Sequence, residues 1–472
     1  MGRPCLAPDG PDDPGHRRSL VLAGGGMRVA YQAGVLVALH EAGLRFHHAD
    51  GASGGTINLS MLLTGQSPAE MCDRWRSLNP RHFSAPLPWV EYVRSPHWPG
   101  LGGGTGIRDK VFPHLGIDPD RIHDAEGMTG TYNVANFATK TAEVIEHRSV
   151  DMDLLVAAIS LPVLMPAVKR QGTAYTDAVW IRDSNVPEAV RRGSDDIWLV
   201  WCIGNTPGYR NGSFRQYVHM IEMAASGSLF ADLDRVATAP GADDIRLHVI
   251  KPACPLPLDP DYFLGRIDAA SLIGVGYRDA RAYLRDPRPL RAPWGPEVSK
   301  MKTPAPGAAA RLVLEGPFTR GSPDQGDRAG TLRLHLRLET GATNGTRPIE
   351  LSVVGDVLVP GWNRPRPVES GRARVGDPAG FELDLDLSDS ARTYRMTATP
   401  GRIGLEVTLR DLDVARGDPG DDSVVGTGVL PFGLAEATLL LASIHPTNAP
   451  SLSAGWRARS DMARTLWRAV KG

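Results

Sequence analysis

Residues 46–63 read Phe46-His47-His48-Ala49-Asp50-Gly51-Ala52-Ser53-Gly54-Gly55-Thr56-Ile57-Asn58-Leu59-Ser60-Met61-Leu62-Leu63. At the centre lies Gly-x-Ser-x-Gly. Residues 46–50 suit a short strand, and 56–63 form an apolar run that suits a helix. A serine on a tight strand-to-helix turn is the arrangement of a nucleophile elbow. The flanking glycines let the backbone turn sharply and keep side chains out of a substrate's way. The start of the following helix offers unpaired N–H groups and the positive end of its dipole.

The same unit occurs just upstream. Ser19-Leu20-Val21-Leu22-Ala23 is an apolar run of the kind a buried parallel strand needs. Gly24-Gly25-Gly26 follows, and then Val29, Tyr31, Ala33, Val35, Leu36, Leu39 and Ala42 recur at helical spacing up to Gly43. Downstream, residues 196–203 and 245–250 read as further buried strands, with helical stretches at 216–237 and 269–284. Strands alternating with helices predict an α/β unit with a mostly parallel central sheet covered on both faces.

Near residue 286 the pattern changes. Residues 286–308 are proline-rich and without periodicity, which predicts an interdomain linker. Beyond it the period becomes two. Leu332-Arg333-Leu334-His335-Leu336-Arg337-Leu338 alternates strictly, as does Phe381-Glu382-Leu383-Asp384-Leu385-Asp386-Leu387. Such runs are half-buried antiparallel strands. Residues 309–472 therefore read as an all-β, sandwich-like accessory domain closed by a helix near 456–470. Residues 1–16, rich in Pro, Gly and Asp, read as a disordered lead-in.

A serine hydroxyl needs a base before it becomes a useful nucleophile. None of the 13 histidines stands in a motif context. The chain offers instead Gly24-Gly25-Gly26-Met27-Arg28 at a strand-to-helix turn, a source of N–H donors for an oxyanion with a cation beside them. It also offers Pro162-Val163-Leu164-Met165-Pro166, then Tyr175-Thr176-Asp177, then Asn185-Val186-Pro187.

The order of these motifs resembles the patatin-like phospholipase family. The likeness extends to Ala30-Tyr31-Gln32 with Gly34-Val35-Leu36-Val37-Ala38-Leu39, and to Gly274-Val275-Gly276-Tyr277-Arg278-Asp279-Ala280. It covers about residues 17–285. The resemblance implies a patatin-like three-layer α/β fold and acyl hydrolysis of lipid esters by a Ser–Asp dyad without a catalytic histidine. Ser53 would be the nucleophile and Asp177 the base. Gly24, Gly25, Gly26, Arg28 and Gly54 would form the oxyanion region. No cofactor or metal is implied. The chain departs from the family pattern at Val29 and at Ala178-Val179, where glycines are usual. Its Asn-x-Pro element lies two residues further from the aspartate, which makes Asp183 a rival base.

Composition bounds the alternatives. With 52 basic and 53 acidic residues the net charge is −1, so neither nucleic-acid binding nor bulk attraction to anionic membranes is indicated. Cys5, Cys72, Cys202 and Cys254 are scattered, without a CxxC pair, which argues against a zinc site or a disulfide framework. No run of about 18 apolar residues suggests a membrane span. The expectation is a cytoplasmic enzyme with a lipid or acyl-ester substrate and transient peripheral membrane contact. Two other readings stand beside it. One is a Ser-His-Asp α/β-hydrolase using His219 or His248; the other is a non-catalytic lipid-binding protein. Trp89 and Trp98, among prolines, read equally as a lid or as plain surface loop.

Overall fold

The structure is a computed structural model. It describes residues 3–8, 17–83, 100, 102–209, 211–321, 328–340, 349–376, 380–388, 392–415, 424–449 and 451–471. Trp89 and Trp98 lie outside the described residues. The chain forms two compact units, Met1–Ala269 with Asp279–Thr303, and Ala270–Arg278 with Pro304–Gly472.

The first unit is a mixed α/β sheet flanked by helices. Its strands are β1 (Arg18–Leu22), β2 (His48–Ala52), β3 (Thr129–Asn136), β4 (Thr141–Glu146), β5 (Val168–Arg170), β6 (Thr173–Asp177), β7 (Asp196–Val200) and β8 (Arg246–Ile250). Their order is β5-β6-β3-β2-β1-β7-β8, with β4 also paired to β3. The five strands from β3 to β8 in that order run parallel, while β4, β5 and β6 are antiparallel additions. β2 and β7 are buried along their whole length. That is why β7 reads as a continuous apolar run after Asp196 rather than as an alternation. Helix α1 (Ala30–Glu41) is buried nearly all round, and every residue of α2 (Gly55–Leu63) is buried. Helices with apolar residues on every side belong inside a core.

Two boundaries differ from expectation. Residues 3–8 are not loose: Leu6 and Ala7 are buried, and the Leu6 carbonyl accepts the Phe46 N–H at 2.8 Å. The stretch predicted as a linker is part of the α/β unit up to Thr303. Leu290 exchanges backbone hydrogen bonds with Leu247 on β8, and Trp294, Val298 and Met301 enter the core around Ile197 and Leu199. Proline removes N–H donors and helical periodicity, but it does not stop neighbouring apolar side chains from packing.

The second unit is an all-β fold in closed form. Strands β9 (Gly307–Arg320), β10 (Arg328–Glu339), β11 (Ile349–Leu358), β12 (Arg366–Gly376), β13 (Gly380–Ser388), β14 (Thr393–Pro400), β15 (Leu405–Asp411) and β16 (Val424–Leu430) follow one another as antiparallel neighbours. β16 then returns to the far end of β9 through Gly426, Thr427 and Gly428. A ninth strand, β17 (His445–Thr447), pairs with β9 at Gly307–Ala309. The result is the expected all-β module in the form of an eight-stranded barrel, one sheet closed on itself. The alternating leucines of β10 and β13 point to its core, each at most 2% exposed. An eight-stranded barrel has an interior that side chains can fill. Leu440 and Ile444, in and just after the helix Leu434–Ser443, and Met462 and Leu466 of the helix Leu452–Lys471 join the same core. Residues Ala270–Arg278 pack with this unit too, and the Tyr277 hydroxyl lies 2.7 Å from Ser388 Oγ.

Candidate active site

Ser53 lies between the end of β2 and the start of α2, with φ of +48°. A non-glycine residue in this left-handed region costs on the order of 1–3 kcal/mol and persists only where its surroundings over-determine it. Here the flanking elements are fully buried and the turn is crowded by backbone. A Cβ at Gly55 would sit 2.1 Å from the Leu22 carbonyl oxygen, and one at Gly54 would sit 2.6 Å from that of Gly26. The glycines of the motif are thus required by close approach of β1 and the glycine loop. Val29 is fully buried, and its methyl Cγ1 would lie 2.7 Å from a Cβ at Gly54. The valine therefore packs against the elbow where the family usually has glycine.

Asp177 is brought to Ser53 by the sheet. β4 covers one edge of β3 from Thr131 to Asn136, so β2 and β6 share the other edge end to end. Ala52 pairs with Asn133, and Asp177 pairs with the next residue, Val134. The residue after Ala52 therefore meets the last residue of β6. Ser53 Oγ donates to Asp177 Oδ2 at 2.6 Å, and the Val179 N–H donates to Oδ1 at 2.9 Å. That second bond needs only the backbone, so the missing glycines at 178 and 179 do not remove it. Asp177 is fully buried. Desolvation pushes its carboxyl up to about 7, against the lowering effect of the two hydrogen bonds. A carboxyl poised there suits a general base near neutral pH.

The glycine loop completes the site. The Gly24 N–H lies 3.2 Å from both carboxyl oxygens of Asp183. Arg28 Nε donates to the Gly25 carbonyl at 2.9 Å, and the Met27 N–H donates to Asp259 Oδ1 at 3.1 Å. Among the described residues, the N–H groups of Gly25, Gly26 and Gly54 have no hydrogen-bond acceptor. These three are free donors on the elbow turn and on the glycine loop that meets it at Gly54, whereas the Gly24 N–H is engaged and Arg28 anchors the loop backbone. Asp183, the rival base, makes no hydrogen bond to Ser53.

Sequence reasoning missed the buried polar supports. Gln32 Nε2 donates to the Ala23 carbonyl at 2.6 Å, and Asn58 Nδ2 donates to the Val29 carbonyl at 2.8 Å and to Gln32 Oε1 at 2.9 Å. One pair of amides thus ties both ends of the glycine loop to α1 and α2. Beneath the elbow, Asp50 accepts from Thr131 Oγ1 at 2.6 Å and from Asn133 Nδ2 at 2.8 Å, and Asn133 Oδ1 accepts from Asn185 Nδ2 at 2.8 Å. Burial raises Asp50 to about 7 and lowers His48, which lies 2.8 Å from Thr131 Oγ1, to about 4. The available signal was Gln32, Asp50 and Asn58 interrupting otherwise apolar or small runs.

The histidine alternatives lie elsewhere. His219 pairs with Glu222 at 3.0 Å, and His248 lies 2.9 Å from Asp196 and stacks on Trp198. Neither bonds Ser53 or Asp177. Among the described residues no group of three or more His, Cys, Asp or Glu could hold a metal ion, and no helix is long and apolar enough to cross a membrane.

Residues 20–190 match the family model of patatin-like phospholipases. No match is found among curated proteins. Among solved structures the chain is similar to VipD from Legionella pneumophila, at 12% identity over 60% of this chain and 70% of that one, with a TM-score of 0.32, too slight a likeness to bear on fold or function. The matched stretch takes in the elbow, Asp177 and Asn185, so residues 20–190 are similar to patatin-like phospholipases, a family whose activity is lipid hydrolysis.

Proposed function

We propose that the chain is a phospholipase A-like serine hydrolase that cleaves lipid acyl esters through a Ser53–Asp177 dyad and an acyl-enzyme. The observation that carries this reading is the 2.6 Å hydrogen bond from Ser53 Oγ to Asp177 Oδ2, made inside a buried elbow. As Oγ adds to the ester carbonyl, its proton passes to Asp177 and the carbonyl electron pair moves onto oxygen. The N–H groups of Gly25, Gly26 and Gly54 are the donors available to that oxyanion. Collapse expels the leaving alcohol, which takes the proton from Asp177. Water then attacks the acyl-serine, with Asp177 again the base, and releases the fatty acid. The reaction calls for no cofactor. A lipid substrate brings the protein to a membrane surface at least transiently, from the cytoplasmic side.

The test is labelling with a fluorophosphonate, which phosphonylates activated serines. The full chain should be labelled at Ser53, Ser53→Ala should stay blank, and Asp177→Asn should label at least about 100-fold more slowly, within the range a lost base commands. A chain that leaves the probe untouched while folded would overturn the reading.

A further inference from the structure

Asp183 has no part in the dyad, yet it is the second fully buried carboxyl beside Ser53. It reaches the site across Gly24. A Cβ at Gly24 would lie 2.1 Å from Asp183 Oδ1 and 2.8 Å from Ser53 Cβ, so acid and nucleophile flank one point of the glycine loop. Its one hydrogen-bond partner among the described residues is the Gly24 N–H, shared between both oxygens, together with a 3.4 Å backbone contact from the same N–H to the Asp183 carbonyl. That partner is a donor. A carboxylic acid brings a proton of its own, which the Gly24 N–H cannot accept.

The charges around Asp183 decide its state. Desolvation acts first and Asp177 second, both raising its carboxyl well above the usual range, against lowering effects of the Gly24 N–H and Arg28. Cys202 on the other side of the loop is itself pushed up by burial to about 12 and stays a neutral thiol. Asp259, against the Met27 N–H, is likewise raised by burial. Arg28 lowers all three, and at each of them burial outweighs it. Two carboxyls this close to one serine titrate in sequence rather than together. Asp177 ionises first, and its charge then holds Asp183 neutral.

We propose that Asp183 is a catalytic acid of the oxyanion site, whose neutral carboxyl donates its O–H to the oxyanion formed when Ser53 adds to the ester. The inference rests on the dyad reading and deepens it. No proton is transferred in this step: the Ser53 proton goes to Asp177, the carbonyl pair moves to oxygen, and the Asp183 proton stays on Asp183 while bridging to that oxygen. A buried acid kept neutral in order to donate to a developing oxyanion is a known catalytic device. Here it would work beside the N–H groups of Gly25, Gly26 and Gly54.

The experiment is the pH profile of kcat for a short p-nitrophenyl ester, measured on the full chain and on Asp183→Asn, Asp183→Ala and Asp177→Asn, each first checked for folding by circular dichroism. The wild type should rise through about pH 7 as Asp177 ionises and fall at higher pH as Asp183 ionises. Asp183→Asn keeps a neutral donor, so its kcat should fall less than that of Asp183→Ala and its alkaline limb should disappear. Asp183→Ala should lose about 100-fold or more in kcat, the usual effect of deleting one oxyanion donor, with little change in KM. If the alanine variant does not fold, the missing alkaline limb in Asp183→Asn decides alone. The proposal is overturned if Asp183→Asn keeps the wild-type alkaline limb, or if Asp183→Ala matches the wild type at every pH. An inactive Asp183→Asn with an active Asp177→Asn would make Asp183 the base and overturn it as well. If the wild type neither turns over ester nor accepts a fluorophosphonate, it is the dyad reading that has failed.

Discussion

Replacing Asp177 with asparagine should abolish activity and, at the same time, stabilise the fold at alkaline pH. The carboxyl is fully buried and its protonation midpoint is raised from 3.8 to about 7. In the unfolded chain it ionises near 4; in the folded chain it holds its proton for about three more units. Between about pH 4 and pH 7 the folded state therefore binds a proton that the unfolded state has released, and stability falls as pH rises. At 1.36 kcal/mol per unit, the ionised carboxyl destabilises the fold by about 4 kcal/mol at pH 8. Asparagine does not titrate. It can still accept the Val179 N–H and meet Ser53 Oγ, so the contacts survive and the charge does not. The variant should exceed the wild type by about 4 kcal/mol at pH 8, on the order of 10 °C in apparent Tm for a unit of this size, and by well under 1 kcal/mol at pH 4. Asp50 is present in both proteins, so its own titration largely cancels, while Asp183 loses the raising effect of the Asp177 charge, which adds to the variant's advantage at alkaline pH. Thermal unfolding followed by circular dichroism at pH 4, 6 and 8, alongside ester hydrolysis, is the assay. A variant no more stable than wild type at pH 8, or one whose advantage is the same at pH 4, would refute the claim that a buried ionised base is stored at this site.

Gly24→Ala should cost at least tenfold in fluorophosphonate labelling and about 1–3 kcal/mol in stability, because the new methyl lands 2.1 Å from Asp183 Oδ1 and 2.8 Å from Ser53 Cβ and must displace one of them. His248→Gln and His219→Gln should leave esterase activity within about twofold of wild type; a loss of about 1000-fold in either, of the size a missing base produces, would restore a histidine mechanism. Asn58→Ala should destabilise the fold by about 1–3 kcal/mol, read by urea unfolding, since it removes the donor to the buried Gln32 Oε1 and the acceptor of the Trp75 indole N–H, which lies 2.9 Å from Asn58 Oδ1. Tyr277→Phe should lower stability by about 1 kcal/mol through the lost Ser388 contact, with hydrolysis unchanged.

The α/β fold was legible because its signals are local. The run from Ser19 to Gly26 and the run from His48 to Leu63 each carry strand, turn and helix within one short window. The resemblance to the patatin-like family rests on the same windows, and the family match covers them. Asp177 was legible as a motif position, but its meeting with Ser53 depends on β2 and β6 sharing one edge of β3, a pairing no local pattern encodes. The supports at Asp50, Thr131, Asn133 and Asn185 were illegible for the same reason, as each is a common residue until strand register aligns it. Alternation in β10 and β13 revealed which face is buried. It could not reveal that β16 returns to β9, because a sandwich and a barrel impose the same period of two. The proline-rich segment read as an interdomain linker because it lacks periodicity, while Trp294, Val298 and Met301 supplied apolar surface to bury.

One helix, Ala269–Arg285, has its residues divided between the two units, with Ala270–Arg278 grouped with the barrel and Asp279 onward with the α/β fold. The barrel is therefore not a cassette. A fragment ending at residue 285 would keep Leu272, Ile273 and Tyr277, all fully buried in the whole chain, while deleting partners such as Ser388. A fragment beginning at 304 would hand the barrel an unfilled seat. No single cut separates the units, since one before Ala269 takes Asp279–Thr303 from the α/β unit and one after Arg285 takes Ala270–Arg278 from the barrel. Any gain or loss of the barrel in evolution would have had to carry that nine-residue piece of helix with it.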